Sequence, residues 1–190
     1  MDVLEAILGR RSIRKFTSLP VPRDLLEQIL AVTVQAPSGK NRQPWRFVVI
    51  EGIKKDELVG LMTKVVTELK GKGIDVGSCE GTIIAIKQAP VIVFVFNAFY
   101  NLSTGIEADR YKWMVDLQSI GGAIQTMLLA AQSVGLGTLW ICDVFYADKE
   151  ICSWLNRRDE LVAAVSLGYP DQSPHARPRK SWNEVTEWIK

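Results

Sequence analysis

The chain has 190 residues, 47% of them hydrophobic, and 23 Lys+Arg against 21 Asp+Glu leave a formal net charge of only +2. That is enough for one globular core and far from the electrostatic footprint of a nucleic-acid binder. Cys79, Cys142 and Cys152 form an odd set without CxxC spacing, and His175 is the single histidine, which argues against a disulfide framework and a structural zinc site and fits a reducing cytoplasm.

Met1-Asp2 opens acidic before a short, interrupted apolar stretch, so no signal peptide is expected. No apolar run reaches the ~20 residues of a transmembrane helix. The first expected element is a helix over Val3–Gly9, whose Val3, Leu4, Ile7 and Leu8 recur at helical spacing and can anchor on a core. Arg10-Arg11-Ser12-Ile13-Arg14-Lys15-Phe16 follows, a concentration of cations that reads either as a solvated basic turn or as an anion site. In the second reading the guanidinium groups make charge-assisted, bidentate bonds to phosphate and Ser12 adds a hydroxyl.

Thr17–Pro22 is an extended connector, because each proline biases its predecessor away from helix. A helix then restarts with Leu25, Leu26, Ile29 and Leu30 on its apolar face and breaks at Pro37. Ala36–Pro44 is a loop of turn residues feeding a strand, Trp45–Glu51. Its Ser38, Asn41 and backbone amides suit the edge of a flat heteroaromatic ligand.

Asp56–Leu69 reads as an amphipathic helix, and Lys70–Thr82 as a Gly-rich connection with no legible element. Pro90–Asn97 is continuous in β-branched and aromatic residues, the signature of a central strand buried on both faces. The longest helix is expected over Tyr111–Val134 and stops at Gly135-Leu136-Gly137. A strand at Thr138–Cys142, a short helix near Ala147–Leu155 and a strand at Leu161–Leu167 follow. Four strands and about five helices make one α+β unit over residues 1–190, with no repeat and no dividing linker.

The tail carries a second basic island, Arg177-Pro178-Arg179-Lys180, in which the proline restricts the chain between two guanidinium groups. It complements Arg10, Arg11 and Arg14. Hydrolytic and metal chemistry find no support: there is no G-x-S-x-G elbow, His175 stands on a loop without a partner motif, and no carboxylate–histidine group has ligand spacing. Gly135-x-Gly137 follows a helix and precedes a strand, the reverse of a dinucleotide fingerprint.

Taken in order, RRSIRKF, APSGKNRQPWRF, APVIVFVF, IQTMLLAAQSVGLGTLWI, and LGYP with RPRKSWNEV resemble the FMN-dependent nitroreductase-like family of NAD(P)H-dependent flavin oxidoreductases. The resemblance implies a nitroreductase-like α+β fold: a central, mostly antiparallel sheet of four to five strands flanked by helices, in a homodimer with FMN at the interface. By matching position it assigns Arg10, Arg11, Ser12, Arg14, Arg177 and Arg179 to the FMN phosphate and ribityl chain. It assigns Pro37, Ser38, Gly39 and Asn41 to the ring of the other subunit's flavin, and backbone groups of Leu139, Trp140, Ile141 and Cys142 to the neighbourhood of N5.

The implied reaction is ping-pong, with NADH or NADPH as co-substrate and a nitroaromatic, quinone or similar electron-poor small molecule as acceptor. The flavin carries the chemistry, so no side chain is named as catalytic and no metal is implied. The implied partners are a second copy and the small acceptor, with neither nucleic acid nor membrane.

The same fold hosts other reactions. Reductive dehalogenation in the iodotyrosine deiodinase branch uses a Glu, Tyr and Lys lid before the central strand, and Asp56–Ala89 contains no Tyr. Dimethylbenzimidazole synthesis and a flavin-binding sensor stay open as alternatives. Cys142 is read as a buried strand cysteine rather than a redox thiol. Phe99, Tyr100, Tyr111 and Trp113 either cover the flavin or pack between helices.

Overall fold

The computed structural model describes residues 1–100 and 107–190. Strands β1 (Trp45–Glu51), β2 (Val91–Asn97), β3 (Gly137–Ile141) and β4 (Glu160–Gly168) form one sheet in the order β1-β2-β4-β3, antiparallel at each pairing. Helices α1 (Val3–Gly9), α2 (Arg23–Thr33), α3 (Ile53–Gly71), α4 (Cys79–Gln88), α5 (Glu107–Ser133) and α6 (Asp148–Trp154) surround it. The α+β architecture and its antiparallel sheet are those expected.

β2 lies inside the sheet and is buried at all seven positions. Its side chains alternate between faces, so a continuous apolar run serves two cores at once. Ile92, Phe94 and Phe96 join Leu58 and Met62 of α3 and Ile86 of α4 on one side. Val91, Val93 and Val95 meet Ile120, Ile124 and Met127 of α5 and Leu26 and Ile29 of α2 on the other.

The structure departs most from the sequence reading at the starts of three helices. α3 starts at Ile53, ahead of Asp56, because Gly52 at φ 55° turns the chain straight out of β1. α5 starts at Glu107, ahead of Tyr111. α4 begins inside the stretch read as a connection; its buried stripe, Cys79, Thr82, Ala85 and Ile86, is short and interrupted by Gly81.

α1 forms where expected, closed at its start by a capping box between Asp2 and Glu5. It does not anchor as expected. Only Ala6 is buried, while Val3, Leu4, Ile7 and Leu8 are 48–74% exposed, so the stripe that sequence spacing directed at a core faces outward in the single chain.

Two glycines let the basic run settle against the sheet. A Cβ on Gly137 would lie 2.7 Å from Ile13 Cγ1, so the absence of a side chain admits Ile13 against the edge strand β3. There Ser12 forms a parallel bridge to Thr138, and the Ile13 amide donates to Thr138 O at 2.9 Å. A Cβ on Gly168 would lie 2.4 Å from Pro90 Cδ and 3.2 Å from Phe16 Cδ1. Phe16 bridges Pro170 in antiparallel sense, flanked by Thr17 N–H to Tyr169 O and Asp171 N–H to Lys15 O, both 2.9 Å. The tail after β4 therefore runs back alongside the segment that precedes Phe16.

Candidate functional site

That antiparallel return brings the two basic islands together. Arg10, Arg11, Ser12 and Arg14 from one end of the chain and His175, Arg177 and Arg179 from the other line a cavity of about 430 Å³, with Ile7 and Leu8 of α1 at its edge. Among the described residues no carboxylate pairs with any of the five guanidinium groups. Burial first, then Arg179 and Arg11, push the Arg10 guanidinium below its ordinary pKa. Cations held together without a counter-charge repel one another, and an anion bound among them relieves that repulsion.

The five are not equivalent. Arg11 Nη1 donates to Leu8 O at 2.7 Å and Arg10 O at 2.9 Å, satisfying a carbonyl left free where α1 ends. Part of its donor set is therefore spent on holding the run to the helix. The sequence reading gave His175 no role, yet it lines the same cavity, because the tail's course, invisible in composition, decides what it faces.

Arg14 also lines a second cavity of about 280 Å³, with Leu139, Trp140, Ile141 and Cys142 on one side and Ser78, Thr82 and Asp143 on the other. The Asp143 carboxylate accepts hydrogen bonds from Ser78 Oγ at 2.8 Å and Thr82 Oγ1 at 2.5 Å. These bonds tie the start of α4 to the turn after β3. Ser78, Thr82 and Asp143 escaped the sequence reading because α4 was not legible.

Cys142 lies just past β3 and is exposed rather than buried. Its thiol is nevertheless desolvated, and desolvation, followed by Asp143, raises its pKa. Desolvation and Asp143 thus favour the neutral thiol, which is a poor nucleophile. Cys79, fully buried, is pushed up to about 11 by burial and Asp143.

Pro37, Ser38, Gly39 and Asn41 line neither cavity. Their loop rests on α5: the Gly39 amide donates to Ser119 Oγ at 3.2 Å, and Arg42 makes a two-pronged ion pair with Asp116, at 2.9 and 3.0 Å. One chain thus gathers ten of the fourteen residues assigned from the sequence around two adjoining cavities and holds the other four elsewhere. Phe99, Tyr100 and Trp113 line a different cavity, beside Arg42 and Asp116, while Tyr111 is largely exposed. Trp113 Nε1 is fixed by Glu160 Oε1 and Oε2 at 2.9 and 3.0 Å.

The sequence profile of the nitroreductase family matches residues 7–169. The chain belongs to the nitroreductase family. It is 30% identical over 183 residues to a Methanothermobacter thermautotrophicus protein provisionally described as an NADH dehydrogenase/NAD(P)H nitroreductase, covering 93% of this chain and 82% of the relative. A BluB-like flavoprotein from Clostridium difficile 630 superposes with a TM-score of 0.81 at 28% identity, covering 100% of both chains. A protein from Desulfovibrio desulfuricans, provisionally described as a nitroreductase and solved in complex with FMN, superposes with a TM-score of 0.75 at 29% identity, over 100% of this chain and 98% of the other. The nitroreductase family's matched region starts inside α1 and ends just after β4, so it includes the first basic island and stops short of the second.

Proposed function

We propose that this protein is an NAD(P)H-dependent, FMN-dependent oxidoreductase of the nitroreductase type, acting as one unit over residues 1–190. It takes reducing equivalents from NADH or NADPH and passes them by a ping-pong mechanism to a nitroaromatic, quinone or similar electron-poor small molecule. The observation that carries this reading is the convergence of five guanidinium groups, without carboxylate partners among the described residues, on one cavity that continues, through Arg14, to the turn after β3. A ligand with a phosphate at one end and a planar ring at the other fits that donor set.

In this reading Arg10, Arg177 and Arg179 hold the phosphate, with Ser12 and the free donors of Arg11 beside it. Arg14 stands at the junction between phosphate and ring. Backbone groups of Leu139, Trp140, Ile141 and Cys142 meet the ring edge near N5. When bound, FMN supplies the two-electron redox chemistry. The chain's own residues bind and orient it, and the Ser78–Thr82–Asp143 bonds fix the turn against which the ring edge lies.

Pro37, Ser38, Gly39 and Asn41 serve the flavin of a second copy. A homodimer also accounts for the uncovered apolar surface: Val3, Leu4, Ile7 and Leu8 of α1, Met114 and Val115 of α5, and Trp182, Val185, Trp188 and Ile189 of the tail are all exposed. Large apolar side chains left exposed in this way fit a contact surface. Among the described residues no helix is long and apolar enough to cross a membrane, and the three free cysteines fit a reducing cytoplasm.

The test is a visible spectrum of the purified protein, followed by anaerobic titration with NADH and NADPH and then addition of nitroaromatic or quinone acceptors. Bound flavin that bleaches with a nicotinamide and recovers with an acceptor is the expected result. A colourless protein that takes up no FMN overturns the reading. Flavin that neither nicotinamide reduces makes the protein a flavin-binding sensor instead.

A further inference from the structure

The loop between α2 and β1 holds three non-glycine residues at positive φ within four positions: Lys40 at 52°, Asn41 at 53° and Gln43 at 49°. Such a backbone state is strained for a residue with a side chain, less so for Asn, and persists only where the surroundings over-determine it. The neighbouring helix supplies that constraint. Asp116 of α5, only 2% exposed, receives both Arg42 Nε and Arg42 Nη2. Ser119 Oγ receives the Gly39 amide at 3.2 Å and is itself aimed by its bond to Val115 O at 2.7 Å. A Cβ on Gly39 would lie 2.2 Å from Val115 Cγ1, so the loop backbone lies directly on the helix.

Arg42 reaches a second element as well. Its guanidinium sits 4.8 Å from the centroid of the Phe99 ring, a cation–π distance. The Phe99 amide donates to Asn97 Oδ1 at 3.1 Å, and Asn97 Nδ2 donates to Glu160 Oε2 at 3.1 Å. One side chain therefore joins the strained loop, a buried carboxylate on α5 and the aromatic that follows β2.

From these contacts we infer that Arg42 and Asp116 are positioning residues, which preset the Ser38–Asn41 backbone and the Phe99 ring as a single unit for the flavin ring. The inference rests on the reading that this loop meets the flavin of a partner copy. Only a guanidinium offers two parallel donors to one carboxylate while presenting a flat face to an aromatic. A lysine keeps the charge and loses both, and an Asp116 without its partner is a buried charge without compensation.

The test compares the full-length protein with Arg42→Lys and Asp116→Asn by amide hydrogen exchange and by FMN titration of intrinsic flavin fluorescence. The Gly39, Asn41, Arg42 and Gln43 amides, bonded to Ser119 Oγ, Ser38 O, Gly39 O and Ser38 Oγ, should exchange at least about tenfold faster in both variants, while β2 and β4 stay protected. The Kd for FMN should rise about tenfold, equivalent to about 1.4 kcal/mol, and the double variant should be no worse than either single one.

Exchange that is unchanged in the loop, or that rises equally across the sheet, overturns the inference and leaves an ordinary structural ion pair. Faster loop exchange with unaltered FMN affinity overturns it too, since the loop would then be held for no purpose the flavin feels. If the unaltered protein binds no FMN, the functional reading fails by itself, and the exchange data still decide whether the pair presets the loop.

Discussion

Arg10 sits where burial, Arg179 and Arg11 all work against its charge, so removing it and Arg179 together relieves repulsion in the free protein while deleting two of the proposed phosphate contacts. Charge-assisted hydrogen bonds contribute about 1.5–3 kcal/mol each. The Arg10→Ala/Arg179→Ala variant should therefore bind FMN at least about a hundredfold more weakly, measured by fluorescence titration. Riboflavin, which lacks the phosphate, should bind both proteins alike. An equal loss for both ligands would place the phosphate elsewhere. Cys142→Ser should leave the flavin spectrum and turnover unchanged, because its thiol is held neutral by desolvation and by Asp143.

At the scale of elements, α4 depends on partners distant in sequence. Its buried Cys79 has a pKa pushed up to about 11, above that of an unfolded thiol at about 8.5. The unfolded state thus releases a proton that the folded state keeps, and stability should be full below about pH 8.5 and fall as pH rises toward 11. Urea unfolding across that range should show the decline, and Cys79→Ala should flatten it. Gly137→Ala would drive a methyl into Ile13. That overlap should cost about 1–3 kcal/mol in chemical denaturation and weaken FMN binding as well, since Ile13 lies between Ser12 and Arg14.

The same elements show what sequence could and could not give. β2 was legible because six consecutive apolar residues admit little but a buried strand. α4 was not, since ten residues with a glycine at the third position present no clear stripe, and its contacts to Asp143 are made by residues more than sixty positions away. In the site, Arg10 and Arg177 stood out by their clustering. Arg42 and Asp116 carried no local signal, being 74 positions apart and each unremarkable alone.

For the molecule as a whole, the exposed stripe of α1 and the aromatic tail at Trp182 and Trp188 are the observations that most favour the proposed homodimer. Deleting residues 182–190 should shift the protein toward a monomer in sedimentation equilibrium and lower FMN retention in parallel, because each proposed site needs the Pro37–Asn41 loop of the other copy. A truncated protein that remains dimeric with full flavin content would confine the contact to α1 and α5.

The sequence by itself determined the strands, five of the helices, the two basic islands and the family resemblance, since each is written in residues close along the chain. Only the tertiary structure decided that the islands share one cavity, that α1 turns its apolar stripe outward and that the loop of Pro37, Ser38, Gly39 and Asn41 is clamped away from both of those cavities. The physical reason is that these facts depend on approach between distant segments. Two glycines admit Ile13 and Phe16 against the sheet, one antiparallel return carries Arg177 back to Arg10, and one buried carboxylate holds Arg42.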